Sequence, residues 1–418
     1  MSLKDSAILL GQKAKEAARR LAQVSSEEKN RTLFLMADRL EGQKELLLRK
    51  NKEDLDLARK AGLSTVLLDR IALNPSRIEA MAKGLKEVAA LPDPVREVVK
   101  MWRRPNGLQV GRMRIPLGVI AIIYEARPNV TADAAALCVK SGNAVILRGG
   151  SEAHFSSRAI GGILREACAE TRVPEAAIQV VESKDRGMVH ELLQLEDYID
   201  LIIPRGGEEL IRMVAANARV PVIKHFKGVC HIYVDSEVSL EVAERICMNA
   251  KVQRPAVCNA METLLVHEDT APTFLPSMIA KLQRAGVEIR GCDRTRALVP
   301  GVKPASEVDW TTEYLDLILS VRVVKEMNDA IDHIDRYGSH HTEAIVTSNY
   351  QRAREFLDRV DSSVVLVNAS TRFNDGGELG LGAEIGISTS KIHAFGPMGL
   401  EELTTTKFVV FGDGQIRE

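Results

Sequence analysis

The sequence lacks a strong excess of one charge. It has 56 lysine and arginine residues against 57 aspartate and glutamate residues, a formal net charge of −1. This balance gives no electrostatic reason to expect nucleic acid or an acidic membrane as a partner. Long apolar runs are also missing. The longest, residues 117–124, is far shorter than the roughly 20 residues of a membrane helix, and the N-terminus has no apolar signal core. We therefore expect a soluble, cytoplasmic protein.

Several metal and catalytic motifs are absent as well. The sequence has no C-x-x-C pair, which disfavours a zinc site or a dithiol redox site. Six cysteines in 418 residues are also too few to suggest a disulfide scaffold. No G-x-x-x-x-G-K-[ST] stretch occurs, which disfavours a P-loop kinase, and neither H-E-x-x-H nor G-x-S-x-G occurs. The glycines of residues 377–382 follow the order G-x-x-G-x-G, which differs from the Rossmann fingerprint and indicates a loop.

What is present is the pattern of an α/β protein. Apolar positions at helical spacing predict helices through the first ninety residues. From residue 117 onward, continuous apolar strands alternate with amphipathic helices, which is typical of parallel sheets covered on both faces. Asn106-Gly107 stands between two strand-like runs and predicts a hairpin. Because that hairpin has no core of its own, we expect it to lie in a subunit interface, next to the C-terminal residues 404–411.

Three loop residues are candidates for chemistry. Cys258, between a predicted helix and strand and near Arg254, is either a nucleophile with a lowered pKa or a small buried residue. Asn129 follows a strand, where its amide either donates to an oxyanion or caps the next helix. Arg148 ends a strand before Gly149-Gly150-Ser151, which is either a phosphate cradle or a tight turn with a solvated arginine. His225, His231 and the 340–341 pair are interpreted as ordinary histidines, so no metal site is predicted.

These segments, in this order, resemble the aldehyde dehydrogenase superfamily, and within it the family that reduces glutamyl phosphate. The most specific stretches are residues 115–153, 220–235, 253–267, 312–324, 340–349 and 368–388. The resemblance implies an α/β fold of two parallel-sheet domains with a small β oligomerisation element. It implies a dinucleotide-binding domain at 1–97 and 117–236, a catalytic domain at 237–385, and an oligomerisation hairpin and tail at 98–116 and 402–418.

The resemblance also gives residues their roles. Cys258 matches the catalytic thiol and Asn129 the oxyanion amide. Arg148 and Ser151 match the turn that meets the adenosine ribose, where they suit the 2′-phosphate of NADPH. Glu313 resembles the acidic residue that holds the nicotinamide ribose.

The activity implied is NADPH-dependent reduction of L-glutamate 5-phosphate to L-glutamate 5-semialdehyde through a cysteine thioester, the second step of proline biosynthesis. Hydrolytic members carry a glutamate base where this chain reads Val222-Ile223-Lys224-His225-Phe226. Without that base the thioester survives until hydride arrives, which fits a reductase. The implied partners are further copies of the chain and a separate glutamate 5-kinase. Another acyl or aldehyde substrate remains an alternative, as does an inactive scaffold.

Overall fold

The computed structural model describes residues 2–417, apart from the side chain of residue 66. The helices are α1 (Leu3–Leu21), α2 (Ser26–Gly42), α3 (Lys44–Lys60), α4 (Thr65–Ile71), α5 (Pro75–Ala90), α6 (Val130–Lys140), α7 (His154–Ala169), α8 (Gly187–Leu193), α9 (Glu208–Asn217), α10 (Leu240–Val252), α11 (Ala271–Arg284), α12 (Asp293–Leu298), α13 (Met327–Tyr337) and α14 (Tyr350–Arg359). No helix within these residues is both long and apolar enough to cross a membrane.

The strands follow the predicted α/β alternation. They are β1 (Val98–Arg103), β2 (Gln109–Pro116), β3 (Val119–Tyr124), β4 (Ala144–Gly149), β5 (Ile178–Val180), β6 (Leu201–Arg205), β7 (Cys230–Val234), β8 (Met261–His267), β9 (Glu288–Gly291), β10 (Lys303–Pro304), β11 (Ile318–Val324), β12 (Thr342–Val346), β13 (Val364–Val367), β14 (Ile387–Ser388), β15 (Gly396–Pro397) and β16 (Thr404–Phe411). The predicted fold class, two parallel-sheet α/β parts with a small antiparallel sheet, is confirmed.

The chain forms two compact units. The first contains the residues up to Lys224, together with Gly380–Gly386 and the residues from Met398 onward. Its parallel sheet has the order β5-β4-β3-β6, and all six residues of β3 are buried. A strand buried on both faces needs a continuous apolar sequence, which is what residues 119–124 supply. The carboxyl ends of β3, β4 and β6 lie at one edge, because Tyr124 pairs with both Gly149 and Arg205.

The second unit contains His225–Leu379 and Ile387–Pro397. Its sheet has the order β10-β9-β11-β8-β7-β12-β13, with every pairing parallel. Helices α10 and α11 contribute to one apolar cluster, and α13 and α14 to another. Strand β7 pairs with β8 and β12. It therefore belongs to the second unit and not to the dinucleotide-binding domain that was predicted to end at residue 236.

The predicted hairpin is β1 and β2, and the C-terminal strand β16 pairs with β2 to make a three-stranded antiparallel sheet. The expected pairing of hairpin and tail therefore occurs within one chain. The sheet still carries exposed apolar side chains: Val98, Val99, Met101, Phe408, Val410 and Phe411. Single exposed apolar residues are common, whereas six on one small sheet are not.

Candidate active site

Cys258 lies in the turn between α10 and β8, and its side chain is partly exposed. None of the six cysteines, all of which are described, forms a disulfide. The four that are buried are Cys138, Cys168, Cys230 and Cys247. Burial raises the pKa of each of these four thiols, to about 12 in Cys168, so they stay protonated at neutral pH. Cys258 and Cys292 are the two that combine partial exposure with a thiol.

The main chain of the Cys258 turn lies directly against Gly228. A Cβ atom at residue 228 would overlap the carbonyl oxygen of Cys258 and lie 3.0 Å from its Cα. Glycine is required there because no side chain fits between the two backbones. The same carbonyl accepts a hydrogen bond from the Cys230 thiol at 3.1 Å. These two contacts fix the position of the Cys258 turn relative to the start of β7.

A positive charge lies near the Cys258 thiol. The Arg372 guanidinium lies close enough to interact electrostatically with both Arg254 and Cys258. Burial is the main cause that lowers the pKa of Arg372, and the positive charge of Arg254 lowers it further. Arg372 is held by Gln253 Oε1 at 2.8 Å and by Asn259 Oδ1, both on the Cys258 turn. Arginines next to a cysteine favour the thiolate. Arg254 was predicted in this role; Arg372, more than 110 residues away in sequence, was not.

Glu313 reaches the same part of the second unit. Its Oε1 accepts a hydrogen bond from the Gly228 backbone amide at 2.9 Å, and Gly228 in turn contacts Cys258. The loop that carries Glu313 is tied to the 225–230 loop a second time, because Lys227 Nζ donates to the Thr311 carbonyl at 2.6 Å. The structure thus brings Glu313 and Cys258 into one neighbourhood, although fifty-five residues separate them.

Asn129 stands at the carboxyl end of β3 in the first unit, just before α6. Its side chain makes no capping hydrogen bond to that helix, so the alternative of helix capping is wrong. The Asn129 Nδ2 donates instead to Asp133 Oδ2 at 2.9 Å. Burial raises the pKa of Asp133 to about 6, against the opposing effects of the Asn129 amide and the Arg205 charge. One amide hydrogen of Asn129 is therefore committed to Asp133, which sets the direction of the other.

Arg148 lies at the same sheet edge and is 8% exposed, so it is not the solvated arginine of the alternative interpretation. Its Nη1 donates to the Gly149 carbonyl at 2.7 Å, which folds the guanidinium back over the turn. Its Nε is buried and has no hydrogen-bond partner among residues 2–417. A buried donor without a partner is costly and indicates a place where a ligand atom completes the site. Ser151 is exposed, with its Oγ 3.4 Å from Glu152 Oε1.

Further cations gather around Arg148 that the sequence did not single out. Burial lowers the pKa of Arg148; the Glu152 carboxylate opposes this, and the charge of Arg186 adds to it. Burial also lowers the pKa of His154, with Lys184 as the second cause. Lys184 stands 4.5 Å from the ring centre of Phe155. Only their place after β5, at the carboxyl edge of a parallel sheet, could have pointed to Lys184 and Arg186.

The predicted histidines divide into two kinds. His231 is fully buried in β7 and bonds Glu343 Oε2 through Nδ1 at 2.9 Å, as expected for a core histidine. His225 and His341 instead lie beside Cys258, with one ligating atom of each within 4.8 Å of the others. The glycine-rich segment 377–382 is a loop, as predicted.

Comparison with known proteins gives one consistent result. The model of the aldehyde dehydrogenase family matches residues 5–305. A gamma-glutamyl phosphate reductase from Moorella thermoacetica is 60% identical over 408 residues, which is 98% of each chain. One from Desulfatibacillum aliphaticivorans is 57% identical over the full length of both chains.

Solved structures agree with these relatives. The crystal structure of gamma-glutamyl phosphate reductase from Thermotoga maritima superposes with a TM-score of 0.97 at 48% identity, over 99% of this chain and 100% of that one. A glyceraldehyde-3-phosphate dehydrogenase from Methanocaldococcus jannaschii, complexed with NADP, gives a TM-score of 0.67 at 15% identity over 98% and 95% of the two chains. The second likeness shows the fold alone.

The raised pKa of Asp133 generates a prediction about stability. A carboxyl group whose pKa is higher in the folded than in the unfolded protein lowers the free energy of unfolding when the pH is above its folded-state pKa. This cost disappears when the pH falls below the pKa of the group in the unfolded protein. Asp133→Asn should therefore raise the free energy of unfolding at pH 7.5, by at most about 3 kcal/mol for a shift of roughly two pKa units. The gain should shrink between pH 6 and pH 4 in urea denaturation. Glu16→Gln, an exposed control in the same unit, should show no such pH-dependent gain; equal behaviour of the two variants would contradict the assignment.

Proposed function

Because the chain belongs to the aldehyde dehydrogenase family and is therefore an oxidoreductase, we propose that it reduces L-glutamate 5-phosphate to L-glutamate 5-semialdehyde and phosphate, with NADPH as reductant. The names of its close relatives support the substrate. The observation that carries the chemistry is the partly exposed Cys258 thiol beside the guanidinium of Arg372.

The first step proposed is attack of the Cys258 thiolate on the γ-carbonyl carbon. The new C–S bond gives a tetrahedral oxyanion, and its collapse breaks the bond to phosphate and leaves a thioester. We assign stabilisation of the oxyanion to the Asn129 amide, whose orientation Asp133 sets. We propose that Arg372 and Arg254 stabilise both the thiolate and the departing phosphate, since Arg372 interacts electrostatically with Cys258 and Arg254.

The second step proposed is reduction of the thioester carbon. When bound, NADPH supplies the hydride for that carbon. Cys258 then leaves as thiolate when the tetrahedral species collapses, and the aldehyde is released. The stretch 222–226 offers no carboxylate to activate water, so hydrolysis to the free acid has no built-in base. This absence favours reduction over aldehyde oxidation.

The residues at the edge of the first sheet fit a phosphorylated dinucleotide. Arg148 has a buried Nε without a partner among the described residues, and Arg186 and Lys184 add positive charge beside it. We propose that Arg148 and Ser151 hold the adenosine ribose and its 2′-phosphate. Glu313, held by the Gly228 amide, is proposed for the nicotinamide ribose. Charge-assisted hydrogen bonds of this kind are the strong ones in phosphate recognition.

We further propose that the chain is a homodimer or higher homo-oligomer and that its substrate comes from a separate glutamate 5-kinase. An acyl phosphate is reactive, so an enzyme that makes it must work alongside one that consumes it. The exposed apolar residues of the β1-β2-β16 sheet support self-association.

Cys258→Ser should lower turnover by at least about 10³-fold while leaving the fold unchanged, because a serine hydroxyl is a far weaker nucleophile at neutral pH. The measurement is NADPH oxidation with enzymatically generated glutamyl phosphate, with circular dichroism to check the fold. Cys292→Ser, the other partly exposed cysteine, is the matched control and should keep turnover. Substantial activity in Cys258→Ser would refute the thioester mechanism.

Arg148→Ala should raise the KM for NADPH roughly 10- to 100-fold more than the KM for NADH, because a hydrogen bond to a charged group contributes about 1.5–3 kcal/mol. The ratio of the two effects separates recognition of the 2′-phosphate from general damage to the turn, which affects both cofactors alike. Arg165→Ala, an exposed arginine further along α7, should leave the ratio unchanged. Equal weakening of both cofactors by Arg148→Ala would show that this arginine does not bind the 2′-phosphate.

The double substitution Phe408→Glu and Val410→Glu should give smaller particles in light scattering coupled to gel filtration. These side chains are 65% and 54% exposed on β16, so charge there is tolerated in a monomer and not in an apolar interface. Ile416→Glu, an 82% exposed apolar residue after the strand, should leave the mass unchanged. A native mass for the double variant would place the interface elsewhere.

A further inference from the structure

Three potential metal ligands meet at one point in the second unit. The ligating atoms of His225, Cys258 and His341 all lie within 4.8 Å of one another. They come from the loop before β7, the turn after α10, and the residue directly before β12. Imidazole nitrogen and thiolate sulfur are ligands that Zn²⁺ prefers. The sequence gives no sign of this group, because no two of the three stand at metal-ligand spacing.

The hydrogen bond of His225 fixes which of its ring nitrogens can bind a metal. Nδ1 lies 2.8 Å from the carbonyl oxygen of Ile387. A carbonyl oxygen only accepts, so Nδ1 carries a proton, and Nε2 is the ring nitrogen through which His225 would bind a metal. A ring N–H bonded to a backbone carbonyl is also the usual outer contact of a histidine that binds metal, because it orients the ring.

His341 presents a buried ring nitrogen to the same group. Its Nδ1 lies 2.7 Å from Thr342 Oγ1 and 3.6 Å from Cys230 Sγ. Either contact can take or supply the Nδ1 proton, and the tautomer with the proton on Nδ1 leaves the ring lone pair on Nε2. The side chain is fully buried, and Nε2 has no hydrogen-bond partner in the described part of the chain.

We propose that His225, Cys258 and His341 form a binding site for Zn²⁺ that reversibly blocks the nucleophile. The inference rests on the proposed function in that it takes Cys258 as the reactive thiol. Bonds of about 2.0–2.1 Å to nitrogen and 2.3 Å to sulfur put tetrahedral ligands roughly 3.3–3.6 Å apart. Rotation of the partly exposed Cys258 side chain, with small shifts of the two rings, would close the remaining distance.

Binding of Zn²⁺ at this site would remove the nucleophilic reactivity of the Cys258 thiol without oxidising it. Zn²⁺ displaces the Cys258 proton to solvent and takes up the sulfur lone pair that would otherwise attack a carbonyl. Three protein ligands leave a fourth position for water, which makes the metal removable by a chelator. The guanidinium of Arg372 near the sulfur opposes a divalent cation and limits its affinity, so the site suits reversible inhibition and not a permanent structural metal.

The test measures Zn²⁺ binding to the full, reduced chain directly by titration calorimetry, and the alkylation rate of Cys258 by iodoacetamide with mass-spectrometric readout. We expect one Zn²⁺ per chain, slowed alkylation, and full recovery with EDTA. Cys258→Ala, His225→Gln and His341→Gln should each weaken binding by more than about 100-fold, since even the outer-shell partners of metal ligands contribute 10–100-fold. Two matched controls should bind like the parent: His340→Asn, an exposed neighbour in a left-handed conformation that asparagine tolerates, and Cys292→Ser.

The outcomes separate this site from the proposed function. If Zn²⁺ does not bind, or binds His341→Gln as tightly as His340→Asn, the metal site is refuted, even if Cys258→Ser shows the thiol to be essential for turnover. If Zn²⁺ binds through the three residues while Cys258→Ser keeps turnover, the site stands and the thioester mechanism falls.

Discussion

The chemistry proposed for the second unit depends on how closely the loop before β7 lies against the turn that carries Cys258. Gly228 leaves no room for a side chain against the Cys258 carbonyl oxygen, and the Cys230 thiol bonds that same oxygen. Because β7 is a fully buried central strand, these contacts attach the turn to the core of the second unit. The Gly228 amide also holds Glu313. One backbone contact therefore positions the proposed nucleophile, a proposed cofactor ligand and, through the same loop, His225.

A buried ion pair fixes the turn from its other side. Lys251 near the end of α10 and Glu262 in β8 flank the turn, and their side chains meet at 2.7 Å with at most 1% exposure. Burial raises the pKa of Glu262 to about 7, although Lys251 opposes this. Its second oxygen accepts from the Leu315 amide at 3.2 Å, which ties the Glu313 loop to the same point. Loss of either partner would leave a buried polar group without its hydrogen bond, which destabilises the fold, so this pair helps to hold the geometry of the turn.

The sequence predicts those parts of the molecule whose signal is local. Strand β3 is a continuous apolar run and β4 begins with one, whereas β8 contains the shorter apolar run 264–266. The helices between the strands have clear periodicity, so both sheets were predicted. Strand β9 was missed because Glu288–Gly291 is short and alternates in burial with two charged residues. The hairpin and tail were predicted from Asn-Gly and apolar content, whereas their pairing within one chain reflects long-range register.

The candidate site follows the same division. Cys258, Asn129 and Arg148 stand next to strand ends, where sequence pattern and family resemblance coincide. Arg372, His341 and Gly228 come close to Cys258 through folding of segments of the second unit that are far apart in the chain. Their individual sequence contexts give no sign of a role, because electrostatic contact and close backbone approach are properties of the folded chain.

Burial decides which groups carry charge at the Cys258 thiol. Arginine remains protonated even when burial lowers the pKa of its guanidinium, so Arg372 keeps its charge throughout the neutral range. The His341 ring beside the thiol stays neutral for the opposite reason, since burial lowers the pKa of an imidazole that was only weakly basic. Arg372 thus supplies the thiolate with a positive charge that does not titrate. An exposed histidine in place of His341 would gain charge below pH 6.5 and would then both favour the thiolate and repel a metal ion. Burial of this one ring separates the two effects.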